Sequence, residues 1–248
     1  MCLIGGFSFA ERINFTAENF NDVRYDGWGY LKIDSHSGIL KKDENYEKKF
    51  FIDEKANGFL LHIRQASSGI VNYKNTHPFG NKEKNLFFCH NGTISKEKML
   101  NLFETNSIFL KTGKRELKEK SDSLLLFEGI EYYFKFLNKT INEETIKNLR
   151  ILLNKINKVG RLNAIIVYYD NFFVYQDENG YNQMQYIKIN KNENFEIANM
   201  FYKIKNKSYG NGIVFFTNNS YHSSDKKTKN FLNGHITHIE NGNIKKIY

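Results

Sequence analysis

A cysteine at the second position, Cys2, becomes the N-terminal residue once Met1 is removed, and removal is expected because its side chain is small. The freed α-amine, with an ordinary pKa of about 7.7 to 8.0, is partly unprotonated at neutral pH and can take the thiol's proton. Nucleophile and base then sit on one residue. Read alone, Cys2 is a small apolar residue opening a strand, so partners elsewhere must give it chemistry. A thiolate attacking an amide carbonyl creates an oxyanion, which needs donors fixed in advance. Asn91 followed by Gly92 offers a side-chain amide beside a backbone N–H that no Cβ obstructs. Arg64 can hold a carboxylate through two parallel hydrogen bonds, and Asp122 can hold an ammonium. Each also has a plainer use: a hairpin turn for Asn91–Gly92, a surface ion pair for Arg64, a favourable helix-dipole contact for Asp122. Taken together, arginine and aspartate match the two ends of a zwitterionic amino acid.

The elements that must position these residues follow from apolar spacing. Residues 2–9 read as a buried first strand, in which Gly5 and Gly6 permit another backbone to come close. A polar segment then runs to Asp26, and 27–33 is a second strand behind a turn at Asp26 and Gly27. Residues 43–49 read as a short helix or surface loop. The run 58–64 is apolar until its last residue, so a strand delivers Arg64 to the edge of the core, where sites are commonly built. Residues 75–79, around Pro78, are irregular. The strand 86–90 stops at Asn91 and Gly92. Ser95 caps a helix through Phe103, and Ser121 caps a second with Leu124, Phe127, Ile130, Phe134 and Leu137 on one face. A third helix spans 143–156. Strands return at 162–169, 172–176, 185–189, 212–216, 235–239 and 244–248, with a tight turn at Asp170 and Asn171. No proline-rich or glycine-serine linker interrupts this order, which fits one domain over residues 1–248.

Composition narrows the class. Apolar residues at 40% and charged ones at 25% are ordinary for a globular chain, so disorder is not expected. No stretch approaches the roughly 20 apolar residues of a membrane span, and no basic start precedes an apolar leader. Cytosolic residence is the expectation, with no membrane partner. Cys2 and Cys89 are too few for a disulfide framework or a cysteine zinc site. No histidine and carboxylate cluster has ligand spacing, so neither metal nor cofactor is expected. The net charge of +9 raises nucleic acid as a ligand, but lysine is scattered. The densest run, 111–120, contains Glu116 and Glu119 and reads as a solvated loop.

The motifs and their order resemble the class II glutamine amidotransferases, a family of N-terminal nucleophile hydrolases. The resemblance rests on Met1-Cys2-Leu3-Ile4-Gly5-Gly6, Asp26-Gly27-Trp28-Gly29-Tyr30 and His62-Ile63-Arg64-Gln65-Ala66-Ser67. It continues through Asn75-Thr76-His77-Pro78-Phe79, His90-Asn91-Gly92-Thr93-Ile94 and Ser121-Asp122-Ser123. The motifs cover residues 1 to about 130, roughly half of the chain.

That resemblance implies an α+β fold, a four-layer αββα sandwich of two packed antiparallel sheets flanked by helices. It implies that Cys2 attacks the side-chain amide of L-glutamine, that ammonia leaves, and that water releases glutamate from a γ-glutamyl thioester. Arg64 then matches the ligand of the α-carboxylate, Asp122 that of the α-amine, and Asn91 with Gly92 the oxyanion hole. Gly27 falls where a backbone group orients the thiol. The synthases of the family usually carry Trp-Ala-Thr-His-Gly after the arginine, whereas here Gln65-Ala66-Ser67-Ser68-Gly69 follows. A hydroxyl contact from Ser67 is retained and an imidazole contact is not. Asp-Gly-Trp-Gly and Thr-His-Pro-Phe look more like a stand-alone branch, in which His77 shapes the pocket. With both sheets built, 248 residues leave no room for an acceptor domain, so ammonia is expected to pass to a partner protein. Two alternatives remain: an amidase acting on γ-glutamyl amides or peptides, and a basic nucleic-acid-binding protein on a catalytically silent fold.

Overall fold

The computed structural model describes residues 2–19, 25–34, 37–44, 49–108, 110, 113–137, 141–198, 202–207, 210–217, 221–222 and 227–248. The chain opens with β1 (Leu3–Asn19), β2 (Trp28–Asp34), β3 (Ser37–Asp43), β4 (Phe51–Ile63), β5 (Phe79–Asn81) and β6 (Leu86–Ile94). Then come α1 (Lys96–Thr105), α2 (Lys114–Glu119), α3 (Asp122–Leu137) and α4 (Glu143–Asn157). Strands return as β7 (Gly160–Tyr168), β8 (Asn171–Tyr175), β9 (Met184–Ile189), β10 (Asn194–Ala198), β11 (Tyr202–Lys207) and β12 (Gly212–Thr217). The last are β13 (Tyr221–His222), β14 (Lys229–Asn230), β15 (Ile236–Glu240) and β16 (Asn243–Ile247).

These strands form two antiparallel sheets, as expected. The first runs β13-β10-β11-β1-β12-β9-β14, with β4 on the other side of β1 and β2 and β3 beyond it; the second runs β16-β15-β8-β7-β6-β5. Period-two alternation sorts the side chains. Ile4, Leu60 and Phe215 point between the sheets and meet Phe87, Cys89, Ile165 and Phe172 of the second. Their neighbours Leu3, Phe7 and Phe59 point to the other face. A strand buried on both faces reads as a continuous apolar run, which is why residues 3–9 were legible.

Among the described residues α1, α3 and α4 cover the outer face of the second sheet, where Phe103 of α1, Leu125, Leu126 and Ile130 of α3, and Leu149 and Leu153 of α4 are buried. Among the described residues the outermost layer on the first sheet's side is made of strand rather than helix. There β1 continues to Asn19 and bends at an irregularity between Ser8 and Ile13. Phe7 and Phe15 would lie roughly 26 Å apart along a straight strand, yet their rings sit 5.0 Å apart. The distal halves of β1 and β4, with β10 and β11, thus fold back over the sheet's own apolar face. Phe195 of β10 stacks on Phe9 there at 5.8 Å. Each such buried ring contributes about 1.5–3 kcal/mol.

Several local expectations need correcting. The polar segment before Asp26 is the outer half of β1 as far as Asn19, with Ile13, Phe15 and Ala17 buried on alternate positions; residues 20–24 lie outside the described residues. The loop expected at 111–120 contains α2, whose Leu117 packs against the helical core; 111 and 112 are not described. Of 43–49, Asp43 ends β3, and 45–48 lie outside the described residues. The strand expected to stop at Asn91 continues to Ile94. Both helix caps form: Ser95 Oγ accepts from Lys98 N–H at 3.5 Å and Ser121 Oγ from Leu124 N–H at 3.1 Å. No described helix is long and apolar enough to cross a membrane.

Candidate active site

Strand register brings the first three motifs to one sheet end. Leu3 of β1 and Trp28 of β2 both pair with Ile63 of β4, so Cys2, Gly27 and Arg64 stand abreast one residue further on. Backbone bonds fix them: Asp26 N–H donates to Arg64 O, and Arg64 N–H donates to Gly27 O, each at 2.8 Å. Asp26 Oδ2 then accepts from Ala66 N–H at 2.6 Å, which turns the chain across the thiol. Cys2 Sγ donates to Gln65 O and accepts from Gln65 N–H, both at 3.3 Å. Gln65, rather than Gly27, is therefore the backbone group that holds the sulfur here. Burial pushes the Cys2 thiol pKa up and Asp122 adds to that, against the Gln65 N–H and Arg64, which lower it.

Arg64 is 2% exposed. Its Nη2 donates to Ser68 O at 3.2 Å and Ile70 O at 3.4 Å, while Nη1 is buried without a partner among the described residues. Asp122 opens α3, and its Oδ2 accepts from Ile94 N–H at 2.7 Å. Ser68 links the two charged groups, because its carbonyl holds Arg64 and its hydroxyl accepts from Asp122 N–H at 3.4 Å. Asn75 locks the loop to the helix: Nδ2 donates to Ile70 O and Glu119 O at 3.0 and 2.7 Å, and Oδ1 accepts from Ser121 N–H at 2.7 Å. Neither Ser68 nor Asn75 was singled out for a role, since a polar residue in a loop gives no signal until its partners are placed.

From the second sheet, Asn91 Nδ2 donates to Cys2 O at 2.7 Å. An amide nitrogen has two N–H groups, so one anchors the Cys2 backbone and one is left. Gly92 has φ +156, and a Cβ there would lie 2.0 Å from Arg161 O; only glycine fits. Ser67 is exposed, with Oγ 2.9 Å from Thr93 Oγ1, joining the arginine loop to β6. Cys2, Arg64, Ser67, His77, Gly92 and Asp122 line a single cleft. Asn91 and Gly27 are bonded to the backbones of two of its residues, Cys2 and Arg64. A broader depression lies at the far end of the first sheet, floored by Phe15 and Phe195 and rimmed by Asp53, Glu196 and Lys205. It brings together neither a nucleophile nor an amino-acid clamp.

Three histidines are buried at the cleft, His77 and His90 in its lining and His62 against the His77 ring. His90 shares hydrogen bonds with Ser123 Oγ at 2.8 Å and Arg161 O at 3.2 Å, and His62 Nε2 meets His90 O at 3.2 Å. Burial lowers all three pKa values, His62 to about 3 and His77 well below the usual range, with nearby positive groups adding to the effect on those two. In the unfolded chain each ring titrates near 6.5. Below that pH the unfolded chain binds protons that the folded one refuses, so their contribution is full above about 6.5 and falls as pH drops toward 3. Each fully shifted ring costs about 1.4 kcal/mol per pH unit in that window. Urea unfolding is expected to show a clearly lower midpoint at about pH 5 than at about pH 7; equal midpoints would mean that these rings protonate within the fold.

A family model described as glutamine amidotransferases class-II matches residues 48–209. A protein of Methanocaldococcus jannaschii described only as uncharacterized is 27% identical over 209 residues, covering 76% of this chain and 54% of the relative. The chain thus spans about half the length of that relative. Among solved structures, a predicted glutamine amidotransferase from Pseudomonas aeruginosa superposes with a TM-score of 0.74 at 17% identity, over 98% of this chain and 99% of that one. The glutamine phosphoribosylpyrophosphate amidotransferase of Bacillus subtilis gives 0.55 at 13% identity, over 100% of this chain and 49% of that one. At these identities the two structures show the shared fold.

Proposed function

Because the chain belongs to the class II glutamine amidotransferases, we propose that it hydrolyses the side-chain amide of L-glutamine with Cys2 as the nucleophile. In this reading Met1 is removed and the freed α-amine accepts the thiol proton as sulfur attacks the γ-carbonyl. The remaining Asn91 N–H and the Gly92 N–H stabilise the oxyanion. The protonated α-amine gives its proton to the departing nitrogen, ammonia leaves, and a γ-glutamyl thioester remains. Water, deprotonated by the same amine, then releases glutamate. The observation that carries this reading is the single cleft that joins the Cys2 thiol, the unpartnered Nη1 of buried Arg64 and the Asp122 carboxylate. Arg64 takes the α-carboxylate, Asp122 the α-ammonium, and Ser67 and Gly27 support the loop around them.

Arg64→Ala is expected to raise KM for glutamine roughly 100-fold, as for a lost charge-assisted bond, with kcat changed only a few-fold. An unchanged KM would take Arg64 out of the clamp. The clamp recognises only the amino-acid end, so γ-glutamyl amides and peptides are candidate substrates of the same machinery. Ammonia release from glutamine is therefore compared with amine release from γ-glutamyl dipeptides; higher kcat/KM on glutamine supports the glutaminase, and the reverse supports the amidase. In the Bacillus amidotransferase the matched region is about half of the chain. On that pattern, ammonia made here is passed on to an acceptor site.

A further inference from the structure

Among the described residues, one histidine of the cleft makes no side-chain hydrogen bond. His77 is 3% exposed, and neither Nδ1 nor Nε2 has a partner among the described residues. Leaving a buried polar group unpaired is unfavourable, so other contacts must hold the ring where it is. The His62 ring of β4 lies 4.1 Å from it and the Phe79 ring of β5 4.4 Å. Its backbone is seated by Gly29 of β2, where a Cβ would come within 2.2 Å of His77 O. Gly29 pairs with His62 in the β2–β4 ladder, so the Asp-Gly-Trp-Gly and Thr-His-Pro-Phe motifs interlock at one place.

Arg64 and Lys42 set positive charge near His77. A neutral imidazole in such surroundings has one N–H to donate, and the ligand group that suits it is an anion. Arg64 Nη1, the other unpartnered donor of the cleft, has the same requirement. Resting on the glutamine reading above, we propose that His77 donates its ring N–H to the α-carboxylate of the substrate beside Arg64, and so selects γ-amides of amino acids over simple amides.

The test uses two substrates, L-glutamine and 4-aminobutanamide, which lacks the α-carboxylate. His77→Phe keeps an aromatic ring against His62 and Phe79 and removes both nitrogens. It is expected to raise KM for glutamine about 10–100-fold with kcat within a few-fold, and to leave kcat/KM for 4-aminobutanamide unchanged. His77→Gln, which restores a donor, is expected to recover part of the affinity and serves if the phenylalanine variant folds poorly. An unmoved KM in both variants, or equal losses on the two substrates, would overturn the assignment. A wild-type protein without glutamine turnover would remove the underlying reading and this role with it. Turnover with an unmoved KM removes the role of His77 alone.

Discussion

Cys2→Ala is expected to abolish ammonia release from glutamine, a loss of roughly 10⁴-fold or more, while the melting temperature stays within a few degrees of wild type. The size of the loss follows from the chemistry, because alanine offers no nucleophile and water must attack an amide unaided. The small structural cost follows from the contacts: among the described residues Cys2 Sγ bonds only the Gln65 backbone, at the end of β1 and outside the apolar clusters. Cys89 is the internal control. It is fully buried between the sheets, and burial holds its thiol well above the usual pKa, so it lacks the thiolate character of a reactive cysteine. Near-normal activity in Cys2→Ala would exclude the nucleophile.

Asn91→Ala carries the second-largest expected effect, a drop in kcat of roughly 10²–10³-fold with KM little changed. The side chain serves twice. One N–H holds Cys2 O at 2.7 Å, which places the sulfur, and the other is available where negative charge develops on the substrate oxygen. Because the oxyanion exists only after attack, the loss belongs in kcat rather than in binding. Steady-state kinetics decides: a large rise in KM at constant kcat would make Asn91 a ground-state contact, and no change in either would remove it from the chemistry.

The candidate residues that meet in the cleft were legible in the sequence where chemistry demands a residue type at a fixed place. Cys2 stands at the start, Arg64 ends an apolar run, Asn91–Gly92 follows another, and Asp122 sits behind a capping serine. What escaped notice were partners whose side chains mean nothing without their neighbours. Ser68 joins Arg64 to Asp122, Gln65 holds the thiol through its backbone, and Asn75 ties loop to helix. The fold divides similarly. Strands buried on both faces are continuous apolar runs and were found. The outer half of β1, and β3, β10 and β11, carry polar or charged residues at exposed positions, among them Glu11, Arg12, Asn14, Lys41, Asn194 and Lys205. Their alternation, as in Ile13, Phe15 and Ala17, becomes meaningful only once β1 bends back over Phe7. Gly92 was assigned to a turn-like stop, yet it lies within β6; the clash with Arg161 O that excludes every other residue is a fact of packing.

The most direct measurement is mass spectrometry of the purified protein after treatment with a glutamine-mimicking electrophile, with and without excess L-glutamine. The expected result is a chain that begins at Cys2 and carries one adduct on that residue, suppressed by L-glutamine, with Cys89 unmodified. An unmodified Cys2, or labelling that L-glutamine does not suppress, would contradict a thiol nucleophile set against an amino-acid clamp.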